Sequence, residues 1–168
     1  MLKGKQIAVI GGGKMGSVII GGIVSRKLAA ASDVTVSDKV KECLKALKEI
    51  HGVGVTGDNK KAAQKADVVV LAVKPQDMAG VLQEIDPVID NKKLLVSIAA
   101  GIPTGFIEGH LRDGIRVIRV MPNTPALICS GVSAVTKGKN ARNISLYLAK
   151  DILTAIGAVV EVDEKDYV

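Results

Sequence analysis

Aromatic side chains are almost missing from this sequence: one Phe, two Tyr and no Trp among 168 residues. Single-stranded nucleic acid is gripped by stacking bases on aromatic rings, so that class of partner is argued against. Cysteine is scarce too. Cys43 and Cys129 alone cannot form a disulfide framework, and they fit a reducing compartment. Long apolar runs are absent. Ile7–Ile10 meets three glycines after four residues, too short for a signal peptide. No uninterrupted run approaches the roughly 20 residues that cross a bilayer, so neither membrane nor secretion is expected and the cytoplasm is. His, Cys, Asp and Glu show no metal-ligand spacing, and neither a nucleophile elbow nor a Walker-type phosphate loop occurs.

What is present describes one globular domain, expected to span residues 1–168. Apolar residues make up 48% of the chain, enough for a buried core. Lys and Arg number 23 against 17 Asp and Glu, a net charge of +6. The charges are dispersed with acids between them, which describes a solvated surface or a field that draws in an anionic ligand.

Short apolar runs alternate with helical patterns. Strands are predicted at 7–10, 34–36, 53–55, 68–73, 94–98 and 115–120, with helices over 15–27, 40–50, 59–65 and 77–89 between the first five. Residues 68–73 are apolar throughout, as in the centre of a parallel sheet covered on both faces. Strands at 132–136 and 158–162 around a helix over 141–156 extend one edge, with an antiparallel partner possible there. This rhythm predicts an α/β fold of the Rossmann type, a doubly wound, mostly parallel sheet with helices on both faces.

Gly11-Gly12-Gly13-Lys14-Met15-Gly16 fits G-x-G-x-x-G between the first strand and the first helix. Gly11 permits the tight turn, Gly13 lets a pyrophosphate approach the backbone, and Gly16 seats the helix close to the strand. Free N–H groups at the helix start then face the phosphate. The alternative is a turn used for packing only. Asp38 closes the second strand about 20 residues beyond the glycines, where an acid accepts hydrogen bonds from the adenosine ribose. It also suits the N-cap of a helix starting at Lys39, and both roles can hold.

In such sheets ligands lie beyond the carboxyl ends of the strands. Three further ends stand out. They are Ala72-Val73-Lys74-Pro75, Ser97-Ile98-Ala99-Ala100-Gly101, and Arg119-Val120-Met121-Pro122-Asn123-Thr124-Pro125-Ala126. Pro122 and Pro125 predict an extended, stiff loop in which Asn123 and Thr124 offer uncharged hydrogen-bonding groups, as substrate-side candidates. His51 and His110 sit beside glycines near helix ends, which suits surface or capping roles. Cys43 falls on an apolar helix stripe and is expected in the core. Cys129 has no neighbour that would activate a thiolate. Cofactor grip with few acid–base groups suits hydride transfer to a substrate that carries its own activation.

These four motifs, in this order and spacing, resemble the pyrroline-5-carboxylate reductase family along essentially the whole chain. The resemblance implies reduction of the cyclic imine 1-pyrroline-5-carboxylate to L-proline with NADPH or NADH, the last step of proline biosynthesis. It implies a cofactor wall of Ile10, Gly11, Gly12, Gly13, Lys14, Met15 and Gly16, then Ser37, Asp38, Lys39 and Asn59. Ala72, Val73, Lys74 and Pro75, then Ile98, Ala99 and Ala100, and finally Met121, Pro122 and Asn123 complete it. Catalytic residues are left open. Many members carry a small polar residue where Asp38 stands; a carboxylate repels a 2′-phosphate, so Asp38 leans toward NADH, with Lys39 offsetting it in part. The family also has an all-helical C-terminal domain that builds a homo-oligomer and most of the substrate pocket, and no such segment follows here. The chain is therefore expected to be the cofactor-binding part of a two-domain enzyme, poorly active alone. Two other classes fit the glycine turn: a nucleotide-binding module without chemistry, and a β-hydroxyacid or deazaflavin-dependent oxidoreductase.

Overall fold

The computed structural model describes residues 2–167; Met1 and Val168, the two ends of the expected 1–168 domain, lie outside the described residues. Eight strands form one sheet in the order β3-β2-β1-β4-β5-β6-β7-β8. The strands are β1 (Ile7–Ile10), β2 (Val34–Ser37), β3 (Gly54–Thr56), β4 (Val68–Leu71), β5 (Leu94–Ser97), β6 (Arg116–Pro122), β7 (Gly131–Lys137) and β8 (Gly157–Glu161). The helices are α1 (Lys14–Ser25), α2 (Lys41–His51), α3 (Asn59–Lys65), α4 (Met78–Ile85), α5 (Thr104–Gly109) and α6 (Asn143–Leu153). This is the predicted doubly wound architecture.

The apolar strands divide their side chains between two cores. In β1, Ile7 and Val9 join the face packed by α1, α2 and α6, while Ala8 and Ile10 join the face packed by α3, α4 and α5. The same alternation sends Val68 and Val70 one way and Val69 and Leu71 the other. Period-2 geometry makes a continuous apolar run the signature of such a strand. All four residues of β4 are buried.

The β1–β6 portion is parallel, and β7 pairs with β6 in the antiparallel sense, as allowed for by sequence. No crossover helix separates β6 from β7, so the chain must turn back on itself. α6 supplies the crossover to β8, which is parallel to β7.

Several expectations are corrected. β4 ends at Leu71, because the chain must leave the sheet at Ala72 to pass the glycine turn. The 77–89 helix is three pieces: 3-10 turns at Pro75–Asp77 and Asp86–Val88 flank α4, with Pro87 stopping the α-helical hydrogen bonds. β6 runs on through Met121 and Pro122, which pair with Ala134 and Ser133. Beyond it lies a 3-10 helix, Thr124–Ile128, in place of an extended loop. α5 was not foreseen; it is six residues long, carries two glycines, and has no side-chain cap from its own N-cap residue Pro103.

α1 packs at Gly22 against the turn that follows α6, where a Cβ would meet Cβ and O of Ala155 at 2.6 Å. Gly80, inside α4, has nothing within 4 Å of the same position. Gly22→Ala is expected to destabilise by about 1–3 kcal/mol through overpacking. Gly80→Ala should stabilise by about 0.5–1 kcal/mol by removing the entropic cost of glycine in a helix. Urea unfolding of the two variants beside the parent chain checks the opposite signs.

Candidate functional site

The strand order reverses between β1 and β4, and a crevice opens there at the carboxyl ends of the strands. A cleft of about 320 Å³ occupies it, lined by residues of the β1–α1 turn, the ends of β2 and β4, and the start of α3. Of the residues expected to form a cofactor wall, Ile10, Gly11, Gly13, Ser37, Asp38, Lys39, Asn59, Ala72, Val73 and Lys74 line it.

The three motif glycines prove to be glycine for different reasons. Gly11 has φ +102°, and a Cβ there would meet the Ala72 carbonyl oxygen at 2.5 Å. A Cβ on Gly16 would collide with the Gly11 carbonyl. Both are demanded by the protein's own backbone. Gly13 is not: its φ is −67°, and nothing lies within 4 Å of a Cβ placed on it. Gly13 is exposed at the N-cap of α1, whose first turn carries no acid and no side-chain cap. The positive end of a twelve-residue helix thus opens onto a surface left bare at Gly13.

Asp38 anchors this turn. Its Oδ2 accepts from the Gly12 amide at 2.7 Å and its Oδ1 from the Val40 amide at 2.8 Å. The helix N-cap role expected of Asp38 is corrected: α2 starts at Lys41 with Val40 as N-cap, and Asp38 braces the turn two residues earlier. Cys43 is half-buried beneath the same turn, where its thiol donates to the Gly12 carbonyl at 2.9 Å. It packs against the core, as its place on the apolar stripe predicts, and supports the turn as well. Burial, reinforced by the Asp38 charge, pushes its pKa up, so the thiol stays protonated.

At the other end, the buried Ser37 hydroxyl donates to Asn59 Oδ1 at 2.6 Å, and Asn59 Nδ2 donates to Glu84 Oε2 at 3.0 Å. The two bonds fix the amide's orientation. Lys39 and Lys74 are exposed at the rim.

Other expected residues stand apart from the cleft lining. Gly12 is buried beneath it, and Lys14, Met15 and Gly16 continue into α1. Pro75 opens a 3-10 turn. Ile98, Ala99 and Ala100 follow β5, with Ala99 buried in the core. Met121 and Pro122 end β6. Asn123 Oδ1 accepts from the Val132 amide at 2.9 Å, so its carbonyl braces β7, while Thr124 is exposed. Val40, Asp77 and Val81 line the cleft without having been foreseen. Asp77 and Val81 lie in a segment read only as helix, where Val81 falls on the buried face and Asp77 is exposed. His51 ends α2, and His110 caps α5 with Nδ1 2.8 Å from the Phe106 carbonyl, the end positions expected of them.

Among the described residues no group of three His, Cys, Asp or Glu side chains is placed to hold a metal, and no helix is long and apolar enough to cross a membrane.

Known proteins are similar to this chain in sequence and fold. The pyrroline-5-carboxylate reductase of Methanosarcina acetivorans is 37% identical over 163 residues, covering 97% of this chain and 60% of the relative. The solved structure of a pyrroline-5-carboxylate reductase from Coxiella burnetii superposes with a TM-score of 0.92 at 33% identity, over 96% of this chain and 60% of that one. That of the Plasmodium falciparum pyrroline carboxylate reductase with NADP bound gives 0.85 at 28% identity, over 97% and 59%. The resemblance carried by the four motifs therefore extends along the chain, which spans about 60% of the length of these relatives. Residues 6–101, more than half of the sequence, match the family model described as NADP oxidoreductase, coenzyme F420-dependent, and the chain belongs to that family.

Proposed function

We propose that this chain is the nicotinamide-dinucleotide-binding part of a reductase acting on the cyclic imine 1-pyrroline-5-carboxylate. The observation that carries it is Gly13, a glycine whose side-chain space the protein itself leaves open at a helix N-terminus. A phosphate group needs that approach, and the amides at the start of α1 would hold it. Asp38 and Asn59 then meet the adenosine ribose, while Ala72, Val73 and the residues after β5 and β6 flank the nicotinamide. Reduced nicotinamide supplies a hydride when bound. The chain's residues orient the dinucleotide and contribute no evident general acid or base, which suits an imine that accepts hydride once protonated. Similarity to reductases of this imine, one of them with NADP bound, supports the substrate class. Two free cysteines suit the cytoplasm.

Gly13→Val tests the cradle. The variant should fold, since a Cβ at this position meets no protein atom within 4 Å, and should lose dinucleotide binding. Calorimetric titration against the parent chain checks this; undiminished affinity would place the dinucleotide elsewhere.

Asp38 should set a preference for NADH. A 2′-phosphate near −2 would sit by the carboxylate, and at about 4 Å with an effective dielectric near 20 each unit-charge pair costs roughly 4 kcal/mol before screening. Salt, side-chain rotation and Lys39 reduce this, leaving about 1–2 kcal/mol, or roughly 5- to 30-fold. Asp38→Ser should erase the preference chiefly by improving NADPH binding, although it also removes the brace on Gly12. Dissociation constants for both cofactors at one ionic strength decide it. Tighter NADPH binding by the parent chain would show that Lys39 or another cation dominates.

The 168 residues alone should turn over little, because the cleft is walled chiefly on the dinucleotide side and near-attack geometry needs both reactants held. A steady-state assay with pyrroline-5-carboxylate and NADH or NADPH is the check, and turnover in the ordinary range of about 1–1,000 per second would overturn the expectation.

A further inference from the structure

Arg119 is the only charged residue buried among the described residues, 8% exposed, on β6 beside Ser97 at the end of β5. Two groups flank its guanidinium. Glu164 Oε1 lies 3.2 Å from Nη1, and the Tyr167 ring lies 4.4 Å from Cζ in cation–π geometry. The Tyr167 hydroxyl is 3.4 Å from the Arg119 carbonyl, to which it donates.

The same Glu164 carboxylate reaches a third element. Oε1 accepts from the Thr104 amide at 2.7 Å and Oε2 from the Thr104 hydroxyl at 2.6 Å. Thr104 is the first residue of α5, the helix with no cap of its own. Glu164 therefore caps α5 from 60 residues away while neutralising the buried arginine. Between the end of β5 and this cap lie residues 98–103, among them Ile98, Ala99 and Ala100 of the proposed cofactor wall. The strand holds one end of that loop and Glu164 the other.

We propose that Glu164 is a positioning residue of the cofactor site, fixing the β5–α5 loop at the nicotinamide end through its bonds to Thr104 and Arg119. The proposal rests on the cofactor function above and adds a residue far outside its motifs. Burial alone would raise the Glu164 pKa, but the Thr104 hydroxyl and amide and the Arg119 guanidinium outweigh it and hold it below the ordinary glutamate range. Tyr167, pushed up to about 12 chiefly by burial, stays neutral beside it. The lowered Glu164 pKa sets the sign: the brace is complete above the ordinary glutamate range and is lost as pH falls through the lowered value.

Titration of the chain with ADP-ribose and with NADH at pH 7 separates positioning from general structural support. Glu164→Gln should leave the ADP-ribose dissociation constant within about twofold and raise that for NADH about fivefold, with Glu164→Asp restoring part of the loss. Equal weakening of both ligands, or no weakening of NADH, overturns the proposal. Should Glu164→Gln fail to fold, the parent chain decides by NMR. The Thr104 amide and the amides of residues 98–100 should shift together with a midpoint below the ordinary glutamate value of about 4.3. A Thr104 amide indifferent to acid, or one that moves without the loop, overturns it. Failure of the parent chain to bind ADP-ribose is a different result: it removes the cofactor function, while the Thr104 titration still judges the brace.

Discussion

The close approach of the β1–α1 turn to the end of β4 is the constraint on which the rest of the carboxyl edge depends. Gly11 can lie against the Ala72 carbonyl only because it has no side chain and tolerates φ +102°. Hydrogen bonds stitch the turn on both sides: the Gly11 amide donates to Ser37 O at 2.8 Å, and the Ala72 amide to Ile10 O at 2.8 Å. Gly16 packs on Gly11 in turn, so α1 has nowhere to start but directly over the crevice. A side chain at either glycine would move the helix axis and the amides it presents. The site is thus a consequence of backbone contacts, set before any ligand chemistry enters.

Those contacts persist because the strands beneath them are buried on both faces. β1, β4 and β5 carry no exposed residue, and their alternating side chains fill two separate cores. The edge beyond β6 is built differently. Val132 on β7 and Val160 on β8 are exposed, as is Met121 at the end of β6. α6 covers one face of this edge, while Glu164 and Tyr167 reach across to Arg119 on the other. A buried cation held by a carboxylate and an aromatic ring substitutes there for the apolar packing that the central strands enjoy.

How much of this is legible in the sequence depends on the range of each interaction. The strands with two buried faces announce themselves as apolar runs, and the glycine turn as a spacing, because both are set by neighbours in the chain. The motif already assigns Gly11, Gly13 and Gly16 different tasks, and the folded backbone adds the contacts behind them: packing demands two and leaves the third free. Asp38 illustrates the limit. Its position at the end of β2 is readable, whereas its bond to Gly12 depends on how the strand brings it against a turn 26 residues away. α5 is invisible for the same reason, since a six-residue helix with two glycines owes its cap to Glu164. Met121 and Pro122 read as loop because proline usually ends a strand, but an antiparallel partner at the sheet's far side carries the pairing through them.

Polar side chains of the cleft and of the sheet edge beyond β6 share one feature. Asp38 is committed to two amides, Asn59 to Ser37 and Glu84, Asn123 to the Val132 amide, and Glu164 to Thr104 and Arg119. Groups tied in this way hold fixed positions and are poorly placed to pass protons. Glu164 is lowered by its partners, away from neutral pH. A site that must exchange protons with its substrate needs a group titrating near its working pH. The arrangement instead spends its polar groups on geometry, which is what transfer between two well-held reactants requires. Under the proposed function, such a wall would serve an electrophile activated by its own protonation.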